Sequence, residues 1–273
     1  MIAEKDFAGR QHIGRRKRQE DAYAFADIPD AEGASEGLLV VITDGMGGHT
    51  SGEQASELAL ESFVDAVQLA EGPLSARLKT AIVASNQAIA DALKEAPDLQ
   101  GMGTTLLAAA ATPGGVEWLS VGDSPLFIWR AGMLTRLNAD HSFRPMLLDM
   151  VESGEINHDD ALKHPLKNLL RAALTGRRID MIDQPAAPIP LAPGDILLAA
   201  TDGIQTLPDE HVGTLITEVA HNEASAIADV LLQAVLDIRY PKQDNVTIAV
   251  IKVEQGELAE GRASHGRHDV SGE

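Results

Sequence analysis

The sequence predicts an α+β fold built on a substantial antiparallel sheet. Three observations carry this. Short apolar runs follow one another across tight Gly/Pro turns, amphipathic helical patterns come in consecutive pairs, and strand and helix do not alternate as a βαβ chain would. At 273 residues the chain can bury about three quarters of its unfolded surface, enough for one large domain.

The elements follow in order. Leu38 to Thr43 is a β-branched apolar run that reads as a buried strand and empties into Asp44-Gly45-Met46-Gly47-Gly48-His49. A helix is expected next, capped by Ser51, with Ala55, Leu58, Ala59, Phe63 and Val67 on one face, and a second helix over Leu74–Leu93 ahead of Pro97. Four apolar runs, Thr104–Ala111, Val116–Val121, Leu126–Arg130 and Met133–Leu137, are divided by Pro113-Gly114-Gly115, Gly122-Asp123-Ser124-Pro125 and Ala131-Gly132, and predict a β-meander. From about His141 to Thr175 the helical pattern is broken by Pro145, Gly154 and Pro165, so a mobile flap is expected. Leu191–Gly194 turns into a buried strand, Asp195–Thr201, which ends in Asp202-Gly203. Helices over roughly Asp209–Ala220 and Glu223–Arg239 precede a last strand, Asn245–Val253. Residues 254–273 are polar and aperiodic, a disordered tail after a single domain over residues 1–253, and no internal repeat is present.

Composition excludes several classes of function. With 22 Lys+Arg against 41 Asp+Glu the net charge is −19, unsuited to a non-specific grip on nucleic acid or an anionic membrane. The absence of cysteine removes disulfide frameworks, zinc–thiolate sites and cysteine nucleophiles, and fits a reducing compartment. No apolar stretch approaches the roughly 18 residues of a membrane span, and the acidic start does not read as a secretory signal, so a cytoplasmic location is expected. Two Trp, two Tyr and five Phe leave little material for stacking platforms.

Three acidic pairs sit where strands end or begin, Asp44-Gly45, Asp202-Gly203 and Asp244-Asn245, with a fourth, Glu20-Asp21, near the start. Taken singly, Asp-Gly is a common turn dipeptide. Together, carboxylates brought to one sheet edge repel one another unless a hard divalent cation holds them. Without cysteine or a His pair at zinc spacing in the folded region, Mg²⁺ or Mn²⁺ is favoured over Zn²⁺.

The ordered blocks Arg16-(x3)-Glu20-Asp21, Asp44-Gly45-Met46-Gly47-Gly48-His49, Gly52-Glu53-x-Ala55-Ser56, Met102-Gly103-Thr104-Thr105, Val121-Gly122-Asp123-Ser124, Asp140-His141-Ser142, Pro193-Gly194-Asp195, Thr201-Asp202-Gly203-Ile204 and Asp244-Asn245-Val246-Thr247 resemble the protein phosphatase 2C family in its bacterial form. The resemblance runs from about residue 10 to residue 252. It implies a four-layer α-β-β-α sandwich of two antiparallel sheets between helix pairs, with two Mn²⁺ or Mg²⁺ ions at one end. By the same resemblance Asp44 bridges both ions, Asp202 and Asp244 complete one site, and the Gly45 carbonyl serves the other. Glu20 and Asp21 hold metal-bound waters, and Arg16 grips the substrate phosphate. The implied reaction is hydrolysis of phosphoserine and phosphothreonine by direct attack of a metal-activated water, without a phosphoenzyme. Implied partners are phosphorylated proteins and a cognate Ser/Thr kinase, the chain acting as a monomer.

Departures from the pattern qualify this. Met46 stands where animal members carry a proposed general-acid histidine, and His49 is as well explained by capping or packing the next helix. Thr206 stands where the family commonly has an aspartate for a third metal, so a third ion leaning on Asp123 should bind weakly. Pro125 replaces an arginine and Gln19 an asparagine, with little expected effect. Met102–Thr105 and Asp140–Ser142 are expected to support the site rather than react. Arg15-Arg16-Lys17-Arg18 reads as a solvated strand edge or a phosphate-facing patch rather than a nucleic-acid site, and His265/His268 as a chance pair in the tail. The flap is the expected seat of substrate choice. Two other functions fit the same blocks: a silent pseudophosphatase that binds phosphoproteins, and a general phosphomonoesterase for small molecules.

Overall fold

The computed structural model describes residues 1–30, 32–47, 51–96 and 99–254. Strands β1 (Phe7–His12), β2 (Asp21–Pro29) and β3 (Ser35–Met46) lead into helices α1 (Ser51–Leu69) and α2 (Leu74–Glu95). Then come β4 (Gly103–Thr104), β5 (Leu106–Thr112), β6 (Gly115–Val121), β7 (Leu126–Arg130) and β8 (Met133–Arg136). Short helices α3 (Arg144–Glu152) and α4 (His158–Lys163) precede β9 (Ile196–Ala200), a 3-10 turn over Asp202–Thr206, helices α5 (Asp209–Val219) and α6 (Ala224–Asp237), and β10 (Val246–Lys252). Among the described residues no helix is long and apolar enough to cross a membrane.

The strands form two five-stranded antiparallel sheets, one ordered β1-β10-β9-β7-β8 and the other β2-β3-β5-β6 with β4 beside β3. Side chains alternate faces along a strand, which sorts the core into three slabs. Leu38, Val40 and Ile42 point between the sheets and meet Leu197, Ala199, Ala249 and Ile251. Leu39 and Val41 point outward onto Ala55, Phe63, Leu78 and Ile82 of α1 and α2. On the far side Leu198, Ile248 and Val250 pack under Ile216, Ile227, Leu231 and Val235 of α5 and α6. The four-layer sandwich therefore stands as expected. Covered on both faces, its inner strands read as continuous apolar runs rather than alternating ones.

The structure corrects several expectations. Ser51 lies in the first turn of α1, so it does not cap that helix. The expected meander is two hairpins in different sheets. β5 pairs β6 in one sheet and β7 pairs β8 in the other, and the chain changes sheet across Gly122–Pro125. Thr104 ends the two-residue β4 instead of starting β5. The basic run 15–18 lies on the loop between β1 and β2, not along a strand. Strands β1 and β2 themselves are not announced by the sequence pattern. The segment expected as a flap is tied at its base, where Ser142 bridges Leu170, Phe143 N–H donates to Leu169 O (3.0 Å) and Arg171 N–H to His141 O (2.8 Å), which leaves the expectation of a flap standing. His49, the tail beyond Glu254, and His265 and His268 lie outside the described residues.

One buried cation fixes the helix pair. Arg77 is only 5% exposed, yet it has no acidic partner among the described residues. Its Nε and Nη2 donate to Val67 O (3.1 and 2.7 Å), in the last turn of α1, and Nη1 to Pro29 O (2.9 Å) at the end of β2. It thus satisfies a carbonyl that the helix end leaves open. Arg77→Leu is expected to cost about 2 kcal/mol, the worth of charge-assisted bonds lost in a buried setting. A thermal melt should show a fall of roughly 4–8 °C.

Candidate metal centre

The acidic pairs converge because strand ends converge. Asp21 opens β2 directly opposite Asp44, close to the end of β3. Like charges facing across a strand pair repel. In the other sheet β9 and β10 are antiparallel, so Asp202, just past β9, and Asp244, just before β10, reach the same edge. The glycines after Asp44 and Asp202 are not there for turn geometry, because neither has a positive φ. They are there for close backbone approach: a Cβ on Gly45 would lie 2.0 Å from Gly52 O, and one on Gly203 2.0 Å from Asn245 O. The turn-dipeptide explanation therefore fails at both positions.

Hydroxyls and amides hold these acids in place. Thr104 Oγ1 donates to Asp44 O (2.9 Å), Thr105 N–H donates to the same carbonyl (2.9 Å), and Asp44 N–H donates to Thr105 Oγ1 (3.0 Å). Thr201 and Thr247 each donate a hydroxyl to Asp21 Oδ2, at 2.8 and 2.9 Å. Asn245 Nδ2 donates to Ile13 O and Arg18 O (both 2.9 Å), and its Oδ1 accepts from Glu20 N–H (2.8 Å), which stitches the Arg16 loop to the start of β10. Gly122 N–H donates to His141 Nδ1 (3.2 Å), so the buried His141 anchors the turn that carries Asp123. Its imidazole pKa is lowered by burial, consistent with this neutral acceptor role.

Arg16, Glu20, Asp44, Gly45, Asp123, Asp202 and Asp244 line one cleft of about 810 Å³, while Asp21 lies buried against it. Among the described residues no three carboxylates close around a point as a ready-made ligand cage. Their electrostatics nevertheless mark a shared space. Burial, then the charges of Asp21, Asp202, Asp123 and Asp244, pushes the Asp44 carboxyl well above the usual range. Burial and neighbouring acids also raise Asp21 and Asp123 to about 7 and Asp202 to about 6. Asp21 Oδ1 is buried without a hydrogen-bond partner, and no described group donates to the carboxylates of Asp44 or Asp202. A donor set that is all oxygen, mutually repelling and short of hydrogen bonds fits hard divalent cations, which would supply the missing positive charge.

The positive side of the cleft is only partly visible in the motifs. The Arg16 guanidinium donates from Nη2 to Asp244 Oδ2, so in this arrangement it grips an acid of the centre. Arg18 reaches Glu53 at 3.8 Å instead. Arg171, at the base of the flap, and Arg177 and Arg178, from the segment that follows it, also line the cleft, and the charge of Arg144 acts on Asp123 and Asp202. These four carry no signal in the sequence: Arg144 opens the short helix α3, and the other three sit in irregular segments without a motif. Met46 lines the cleft but leans on Gly103 and offers no proton. Thr206 Oγ1 donates to Gln243 Oε1 (2.7 Å), so the position lacking the family aspartate is tied into a neutral amide pair.

Comparison with known proteins shows what this chain is similar to in sequence and fold. Residues 8–237 match the model of the family described as protein phosphatase 2C. The serine/threonine protein phosphatase PstP of Mycobacterium tuberculosis is 34% identical over 218 residues, 79% of this chain but 40% of that protein, so the match spans well under half of its length. The serine/threonine phosphatase stp of Listeria monocytogenes is 32% identical over 221 residues, 78% of this chain and 84% of that one. Among solved structures, that of M. tuberculosis PstP superposes with a TM-score of 0.74 at 30% identity, covering 91% of this chain and 98% of the other. A structure of the PstP catalytic domain in complex with two manganese ions superposes with a TM-score of 0.71 at 30% identity, covering 91% and 97%.

Proposed function

We propose that this chain, which belongs to the protein phosphatase 2C family, hydrolyses phosphoserine and phosphothreonine in protein substrates with the help of two Mn²⁺ or Mg²⁺ ions. The observation that carries the reading is the meeting of Asp44, Asp202 and Asp244 from two different sheets beneath a cleft rimmed by arginines.

In this reading Asp44, Asp202 and Asp244 would hold the ions together with the Gly45 carbonyl, Asp44 being shared between them. Glu20 and Asp21 add negative charge around them. The ions, when bound, supply Lewis acidity and lower the pKa of water for in-line attack at phosphorus. The chain's own residues do the positioning. Thr104 and Thr105 fix the peptide of Asp44, and the Thr201–Asp21–Thr247 bonds lock the acid beside it. With the charge of Asp244 taken up by an ion, the Arg16 guanidinium can turn to the substrate phosphate. Met46 offers no proton, so the departing serine or threonine oxygen takes its proton from water or from another group. Asp123 faces the same space, but with Thr206 neutral and bonded to Gln243 a third ion would be held weakly. A protein kinase working on the same substrates is the natural counterpart.

The test is hydrolysis of p-nitrophenyl phosphate and of a phosphothreonine peptide in Mn²⁺, in Mg²⁺ and in EDTA. Turnover that needs the ion and returns on its readdition is expected. A folded chain inert on both substrates in Mn²⁺ would sink the reading and leave a phosphoprotein-binding role. Arg16→Ala is expected to raise KM about tenfold with a milder loss of kcat, the pattern of a lost charge-assisted bond to the ground-state phosphate. An unchanged KM would remove Arg16 from that role.

A further inference from the structure

We propose that a second cleft beside the carboxylate centre receives an anionic side chain of the phosphopeptide, a carboxylate or a second phosphoryl group, close in sequence to the residue being dephosphorylated. The inference rests on the phosphatase reading for what lies in the first cleft. It adds a preference for acidic surroundings.

The second cleft, about 350 Å³, shares Asn168, Asp202 and Asp244 with the first, so the two are adjoining parts of one groove. Arg144 and Lys167 approach it from the flap, and Lys242 from the connection between α6 and β10. Ile238 and Tyr240, 53% and 48% exposed, give it an apolar shoulder. None of the three cations is in an ion pair. Arg144 Nη2 donates to Asn168 Oδ1 (2.9 Å), Lys167 Nζ donates to Leu162 O (2.9 Å), and Lys242 has no partner among the described residues.

In a chain with 41 acids and 22 bases, three basic side chains line this one cleft, none of them held in an ion pair among the described residues. The only acids lining the cleft are Asp202 and Asp244, and both belong to the centre whose charge the ions would balance. What remains is a net positive pocket at the rim of the reaction site. It suits an anion and repels a further cation. An extended peptide advances about 3.3–3.6 Å per residue, so a group two or three residues from the phosphorylated one would reach an adjoining cleft. The apolar shoulder offers the intervening side chain a place to lie.

The experiment compares three phosphothreonine peptides that differ only near the phosphorylated residue, with neutral, glutamate or second phosphothreonine neighbours. Both kcat/KM and binding by fluorescence anisotropy are read in Mn²⁺. An acidic-to-neutral ratio of about five- to tenfold is expected, shrinking as salt is raised, since each partly exposed pair adds only a modest factor. The glutamate and doubly phosphorylated peptides tell the two anion sources apart. Lys167→Ala combined with Lys242→Glu should bring the ratio to one or below, while Lys79→Ala, on an exposed face of α2 away from both clefts, should keep it. The ratio compares two substrates on one preparation, so it does not depend on the fraction folded. Equal values for all peptides, or a preference that survives the double variant, would overturn the inference. A preference seen in binding without hydrolysis of p-nitrophenyl phosphate or of any of the three peptides would keep it and overturn the phosphatase reading.

Discussion

Replacing Asp202 by Asn is expected to lower turnover by about 10³-fold or more, roughly 4 kcal/mol of lost transition-state stabilisation, while the fold survives. The side chain is nearly isosteric and has no hydrogen-bond donor among the described residues, so the change removes charge and little packing. Asp244→Asn should cost turnover to a similar degree, yet the two variants differ without metal. Asp202 carries a raised pKa because burial and the charge of Asp244 disfavour its ionised form, so neutralising it relieves repulsion and should raise the melting temperature in EDTA. Asp244 is paired with Arg16 and accepts Asn245 N–H through Oδ1 (2.8 Å), so its replacement breaks favourable contacts and should not. Turnover assays with melts in EDTA and in Mn²⁺ check both. Near-normal turnover in either variant contradicts the assigned ligand set.

The second large effect is on stability. Burial and neighbouring acids raise Asp21 and Asp123 to about 7 and Asp202 to about 6, with Asp44 shifted the same way. A carboxyl whose folded pKa exceeds its unfolded value near 3.8 holds its proton more tightly in the folded chain. The folded state therefore binds more protons than the unfolded state between about pH 4 and pH 7, and stability falls as pH rises through that window. These groups contribute fully below the unfolded value and lose their contribution as pH passes the folded values. A tenfold difference in proton affinity between the folded and unfolded chain corresponds to about 1.4 kcal/mol, so a loss of several kcal/mol is expected in EDTA, a fall of order 10 °C. Saturating Mn²⁺ should cancel most of it near neutral pH, since a ligand at 1,000 times its Kd adds about 4 kcal/mol. Melts of the parent and Asp202→Asn across pH 4.5–7.5 separate this from the behaviour of the other acids. An equal slope for the two proteins in EDTA would refute the account.

Much of this was legible in the sequence, and the rest was hidden for identifiable reasons. The inner strands and the four long helices show because each buries a face that the periodicity records: Ala55, Ala59, Phe63 and Val67 form one stripe of α1, all fully buried. Strand β1 escapes because Phe-Ala-Gly-Arg-Gln-His buries only Ala8 and leaves its other residues half-covered at a sheet edge. Strand β2 alternates Ala with Tyr and Phe, small enough in apolar bulk to pass for a loop. The change of sheet at Gly122–Pro125 could not be read locally, because a tight turn looks alike whether it closes a hairpin or leaves it. The acids at Asp44, Asp202 and Asp244 were visible since each lies at a strand end that the sequence announces, whereas Asp21, opening the unread β2, showed only as an acidic pair with Glu20. Arg144, Arg171, Arg177 and Arg178 were not, because a short helix end and irregular segments carry no period to say which way a side chain turns.

The pairing of β1 with β10 has a consequence for how the protein comes into being on the ribosome. Phe7 lies opposite Ile251 and His12 opposite Val246, so β1 must wait for β10, made about 240 residues later. Until then one sheet lacks its β10, and β1 and β9, which flank that strand, have open edges. Asp244 is then also missing from the site. A nascent chain can thus assemble the α1–α2 side with Asp21 and Asp44 early, but synthesis must pass β10 before a complete centre exists. Chain order alone thus keeps a half-made protein without its full set of carboxylates, and the interval leaves exposed strand edges that favour aggregation if synthesis stalls.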